Sequence, residues 1–348
     1  MRTISYVCCL AVALACALSC HMMAQSALAD DYVKPVPVFS GSLGFVDTVT
    51  GGHTVLNPMF APVVLAPIGE RWLVESRAEF KGEYQSTNGS FGGKVEKEID
   101  YLQLDYLANR YVTVSLGRFL TPFGIYNERL YPIWIRDLQT TPIIFPLATG
   151  SSDGAMLRGG FEALPGLNIN YATYFSTLST VNKFESDRLF GGRFGIFLPR
   201  PRVEVGFSLQ HLLQEGRTNA FGFHFEWQPR DMPLDTRAEY ARSNNGSGYW
   251  LESAYRLSDL PQWNGKLHRV QLVGRLQQFF TGENLADAAE YGLPPVNAKQ
   301  AEIGANYFFK DGLKATTSFG RQFSSAGNAN IWTVGIAYRF ALPIGSAQ

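Results

Sequence analysis

Outside the first thirty residues the chain holds four histidines, His53, His211, His224 and His268, the side chains best suited to acid–base work near neutral pH. A nucleophilic site needs a hydroxyl or an acid within reach of one of them. Ser208 is close to His211 in sequence, but an odd number of steps along a strand puts the two on opposite faces. Neither has a further partner nearby. All the cysteines, Cys8, Cys9, Cys16 and Cys20, fall in the first twenty residues. Thiolate metal sites, haem attachment and cysteine nucleophiles are therefore excluded from the rest of the chain. No glycine-rich phosphate loop and no spaced His/Asp/Glu cluster stands out. The reading is no catalytic residue, no metal and no cofactor.

What remains is charge at every second position. Glu75, Arg77, Glu79, Lys81 and Glu83 alternate with Val74, Ser76, Ala78, Phe80 and Tyr84. Phe221, Phe223, Phe225 and Trp227 alternate with Gly222, His224, Glu226 and Gln228. Near the end, Trp332, Val334, Ile336, Tyr338 and Phe340 alternate with Thr333, Gly335, Ala337 and Arg339. Successive strand side chains point to opposite faces, so each segment has one apolar and one polar face. Turn signals separate the segments: Gly69-Glu70, Asn109-Arg110, Pro165-Gly166, Pro199 to Pro201, Gln228 to Pro233 and Asp311-Gly312.

The pattern predicts strands over 38–49, 53–67, 70–84, 94–108, 110–120, 154–164, 167–179, 187–198, 202–214, 217–228, 233–243, 248–258, 266–280, 297–309, 313–323 and 329–340, sixteen in all. The second is interrupted by Pro58 and Pro62. Short connections alternate with longer ones at 85–93, 121–153, 180–186 and 281–296, the layout of an outer-membrane barrel. From Trp332 to Phe340 a tilted strand covers about 21 Å along the barrel axis, close to the roughly 25 Å apolar band of such barrels. Trp and Tyr favour the membrane–water interface. The expectation is an all-β fold, an antiparallel transmembrane β-barrel of about 16 strands in a bacterial outer membrane.

The N-terminus reads differently. Arg2, an apolar run from Val7 to Leu18 and Ala27-Leu28-Ala29 fit a cleaved signal peptide over 1–29, leaving 30–348 as the barrel. Lys plus Arg equals Asp plus Glu, 30 each, so no net field draws the chain to nucleic acid.

In a barrel the polar face lines the lumen. Alternation then places Glu75, Arg77, Glu79, Lys81, Arg158, Arg193, Glu226, Arg237, Glu239, Arg269, Arg275 and Lys314 on the pore wall, with acid and base nearly balanced. The long connection 121–153 carries Phe123, Tyr126, Tyr131, Trp134 and Phe145 among four prolines. So many large apolar groups need burial, and the barrel interior is available. Glu128, Arg129, Arg136 and Asp137 would then meet lumen charges at a constriction. Arg118 is out of phase, and a bulge at Gly117 would turn it inward to join them.

The stretch VSLGRFLTPFGIYNERLYPIWIRDL, 114–138, resembles the porin family that includes the phosphate-selective porins O and P, in which a strand ends in a Gly-basic-aromatic-x-x-Pro-Phe-Gly pattern. The aromatic Tyr338 to Phe340 is similar to the family's C-terminal assembly signal, although ALPIGSAQ follows it here. The resemblance implies a passive porin for small hydrophilic solutes or ions, surrounded by lipid and assembled as a homotrimer. A phospholipase-like barrel enzyme, and a structural barrel or a sleeve for a partner, are the alternatives.

Overall fold

Alternation of apolar and polar side chains leaves a sheet with one face for lipid and one for water, and the sheet must close to pair its edges. The computed structural model, described for residues 36–51, 53–87, 90–148, 150–176, 188–213, 219–259, 266–282 and 292–344, shows that closure. The signal peptide expected over 1–29 lies outside the described residues.

The strands are β1 Val38–Thr50, β2 His53–Ile68, β3 Trp72–Thr87, β4 Ser90–Asn109, β5 Val112–Leu120, β6 Ser151–Leu164, β7 Leu167–Ser176, β8 Leu189–Leu198, β9 Val203–Leu212, β10 Asn219–Trp227, β11 Leu234–Ser243, β12 Gly246–Arg256, β13 Val270–Thr281, β14 Ala298–Phe308, β15 Leu313–Ser324 and β16 Ala329–Pro343. Each pairs antiparallel with its chain neighbours, and β1 pairs with β16 from Val38↔Pro343 to Thr50↔Ile331. The chain is thus a sixteen-stranded antiparallel barrel. On β16, Trp332 and Val334 are 53% and 54% exposed while Thr333 between them is 2% exposed, so the apolar stripe faces outward. Aromatic contacts mark both ends of the outer band: Phe319 with Trp332 at 4.5 Å on one side, Trp72 with Tyr106 at 4.5 Å on the other.

Several expectations shift in detail. The connection 85–93 is not a long loop, because β3 and β4 stay paired out to Thr87↔Ser90. Pro58 and Pro62 do not end β2. Its ladder to β3 skips both prolines, which lack an N–H, and the Asn57 side-chain amide donates to Gly82 O at 3.1 Å beside the gap. The final strand runs three residues past Phe340, to Pro343. Arg269 is not on a strand: it closes a 3₁₀ turn over Leu267–Arg269, and β13 begins after it.

The bulge expected at Gly117 is absent. Gly117 keeps register with Gln103 and Gly154, at φ 117, and a Cβ there would strike Leu102 O. The irregularity lies on β4 instead, where Asp100 is the extra residue between Ile99↔Ala78 and Tyr101↔Arg77. Arg118 therefore stays beside Leu102, itself 51% exposed, on the outer face of the wall.

Candidate functional site

The connection between β5 and β6 departs from the wall at its neck and turns into the barrel. Thr121 N donates to Gly150 O at 3.0 Å, and the Asn127 side-chain amide donates to Thr121 O at 2.9 Å and Gly150 O at 2.6 Å. Gly124 makes the sharp turn at φ 62, against the Glu239 carboxylate. Its N–H donates to Ser208 Oγ at 3.0 Å and its carbonyl accepts from Arg193 at 2.9 Å. The following residues, Tyr126–Leu130, form one π-helical turn that aims Glu128 and Arg129 at the wall.

The charges of this loop meet wall charges one by one. Glu128 pairs with Arg193 at 2.5 Å. Arg129 reaches Glu204 at 2.7 Å and Glu226 at 2.9 Å. Asp137 pairs with Arg237 at 3.1 Å. Arg136 pairs with no carboxylate among the described residues; it donates to Tyr131 O at 2.5 Å and lies 4.8 Å from the Tyr131 ring centroid. Lys314 donates to Arg136 O, and Arg275, paired with Glu252 at 2.6 Å, donates to Thr140 O at 2.7 Å. Burial would lower the Arg129 guanidinium, but the bonds from Glu204 and Glu226 hold it above its ordinary value. Burial pushes the Tyr126 and Tyr131 phenols up.

Apolar packing completes the seat. Phe123, Ile125, Tyr126, Leu130, Ile144 and Leu147 are buried with Trp250 and Phe279 of the wall. Tyr126 packs edge-on to Trp250 at 6.2 Å and to Phe145 at 5.4 Å. Trp134 stacks under Arg339 at 4.6 Å, and Tyr131 meets Arg77 at 5.3 Å. The loop thus touches wall residues from β3 round to β16.

Among the residues singled out by sequence, Arg193, Glu226, Arg237, Glu239, Arg275 and Lys314 gather with Glu128, Arg129, Arg136 and Asp137. Glu75, Arg77, Glu79, Lys81 and Arg158 stand on another arc, β3 to β6. There Arg77 pairs with Glu79 at 3.2 Å and Asp100 at 3.0 Å, Arg158 with Asp105 at 3.1 Å, and Glu75 accepts from Gln103 at 3.4 Å. Lys81 sits opposite Glu96 in the β3–β4 ladder. Arg118 joins neither group: it pairs with Asp153 at 3.0 Å on the outer face. Sequence reasoning missed Gln103 and Asp105, which alternate with Leu102, Leu104 and Tyr106 and were legible from that. It also missed Asp100, whose parity is that of the outer face until the bulge brings it inward. Ser208 faces the lumen, completely buried, whereas His211 lies against Phe190 and Asn219 on the other face.

A closed barrel with an apolar outer band and a polar interior is a transmembrane barrel, and its fold places it in a bacterial outer membrane. Solved structures share that fold. The chain is similar to an anion-selective porin from Comamonas acidovorans, with TM-score 0.57 and 11% identity over 87% of this chain and 99% of that one. It is similar to the outer-membrane channel DcaP of Acinetobacter baumannii, with TM-score 0.55 and 10% identity over 90% of this chain and 100% of that one. It is also similar to the trimer form of OmpT, an outer-membrane protein of Vibrio cholerae, with TM-score 0.54 and 10% identity over 88% and 100%. No family model and no curated protein matches the sequence.

Proposed function

We propose that the protein is a passive porin: a water-filled, cofactor-free channel through which small hydrophilic solutes or ions enter the periplasm. The observation that carries this reading is the inward loop, clamped to the wall through Arg193, Glu204, Glu226 and Arg237. A loop held in this way narrows a sixteen-stranded barrel, and a narrowed aqueous barrel selects solutes by size and charge. The GRFLTPFG motif at the loop's entry and the porin fold of the structural neighbours support the same reading. Both also support a homotrimer, and the motif points toward the porin family that includes the phosphate-selective porins O and P, without that group's selectivity.

Selectivity should be weak. The loop's charges are largely spent on the wall, and most wall charges are paired with opposite neighbours. The inner face of β4 sets Glu96, Glu98, Asp100 and Asp105 against Lys94, which tips the balance toward acid and gives a slight preference for cations.

Planar-bilayer recording tests the proposal. Purified protein should give steady ohmic channels, and replacing residues 126–148 with a short Gly-Ser linker should raise single-channel conductance and admit larger solutes. Absence of channels from correctly folded protein would favour a structural or sleeve barrel. Equal conductance in the two proteins would place the loop outside the conducting path.

A further inference from the structure

On the outer face of β12 to β15, away from the lumen, lies a groove of about 530 Å³. Its rungs follow from the ladder. Leu251, Leu276, Ala301 and Arg321 stand side by side in one rung, and Ser253, Gly274, Ile303 and Phe319 in the next. The floor is low because Gly274, Ser253 and Ala301 are small, and a Cβ built on Gly274 would meet nothing within 4 Å. The walls are apolar, with Leu276 57% and Ile303 67% exposed.

The groove ends in charge. Arg321 is one of its lining residues, and Lys299 sits beside Phe323 in the next rung toward the long-loop end. The two cations are diagonal cross-strand neighbours on one face, within mutual reach of a single anion. Neither forms an ion pair among the described residues. Arg118, the outward arginine on β5, is by contrast neutralised by Asp153. Arg321 lies one rung beyond the Phe319–Trp332 aromatic contact that marks the edge of the apolar band. It therefore stands at headgroup level, with the groove descending from it into the hydrocarbon.

We infer that this groove binds a phosphate-bearing anionic lipid of the outer leaflet, with its phosphate on Arg321 and Lys299 and one acyl chain over Gly274. Shape and charge agree: an apolar trough for a chain, and two unneutralised cations where a lipid phosphate lies. The inference rests on the barrel's place in the membrane and not on conduction, so failure of the channel proposal leaves it intact.

Native mass spectrometry of the detergent-solubilised protein with added phosphatidic acid tests it, with phosphatidylcholine of the same chains and inorganic phosphate as the other arms. The wild type should retain phosphatidic acid adducts and bind phosphatidylcholine more weakly, and inorganic phosphate alone should not saturate the site. Removing both charges, Lys299→Ala with Arg321→Ala, should raise the Kd about 30-fold, at roughly a factor of five per cation. Gly274→Leu should fill the trough and lose the adduct while keeping heat-modifiable mobility. Equal adducts in wild type and all variants would overturn the assignment, as would equal binding of phosphatidylcholine. So would dissociation of an oligomer by Gly274→Leu, which would show a second copy of the chain in the groove.

Discussion

Gly124→Ala tests the seat of the loop without replacing a strand residue. Gly124 holds φ 62, a left-handed conformation that costs a residue with a Cβ about 1 kcal/mol. The added methyl would also overlap the Glu239 carboxylate. That carboxylate must turn away and release the Tyr126 N–H it accepts at 3.3 Å, a long charge-assisted bond worth about 1.5–2 kcal/mol. Together these cost the seated loop about 3 kcal/mol, or roughly 100-fold in the ratio of seated to unseated states. Because the change lies in the loop, the barrel should still form and keep its heat-dependent gel mobility. In single-channel recordings, excursions to a larger conductance should become about 100-fold more frequent at unchanged main-level conductance. Protease added from the outer side should cut the loop faster. Records indistinguishable from wild type, with unchanged proteolysis, would refute the view that the Gly124–Glu239 contact holds the loop.

The protein should run faster on gels before boiling than after and show a β-type circular dichroism spectrum; identical mobilities with a helical spectrum would contradict the barrel. Arg118→Gln should leave the reversal potential unchanged, because the side chain faces outward, yet cost about 1 kcal/mol of stability as the Arg118–Asp153 ion pair is lost, read as a lower unfolding temperature in detergent. Asp100→Asn should move the reversal potential toward anions, because it leaves Arg77 with Glu79 alone as a carboxylate partner among the described residues; no movement would remove that arc from the conducting path. Wild-type protein in a salt gradient should show a small reversal potential of cationic sign, and a value near the ideal for either ion would overturn the balanced-wall argument.

A strand with period-two alternation carries its own instruction. The apolar stripe of Trp332, Val334 and Ile336 and the polar one of Glu75, Arg77 and Glu79 were legible as two faces before any strand was paired. Sixteen such segments, joined by short connections that alternate with longer ones, already pointed to a closed barrel in an outer membrane. The loop's need for burial was legible too, from five large aromatics in one connection. The tertiary structure alone decided three things. One extra residue inverts the side-chain phase, and pairing placed that residue at Asp100 on β4 and not at Gly117 on β5, so Asp100 went to the lumen and Arg118 to the outside. Arg269 fell in a turn because β13 starts only where β14 begins to pair with it, at Val270↔Tyr307. The fate of the loop's charges depended on strands far away in the chain: Arg129 meets Glu204 across 75 residues and Asp137 meets Arg237 across 100. Alternation is local and sets which face a side chain takes, whereas closure of the barrel sets which distant face it meets.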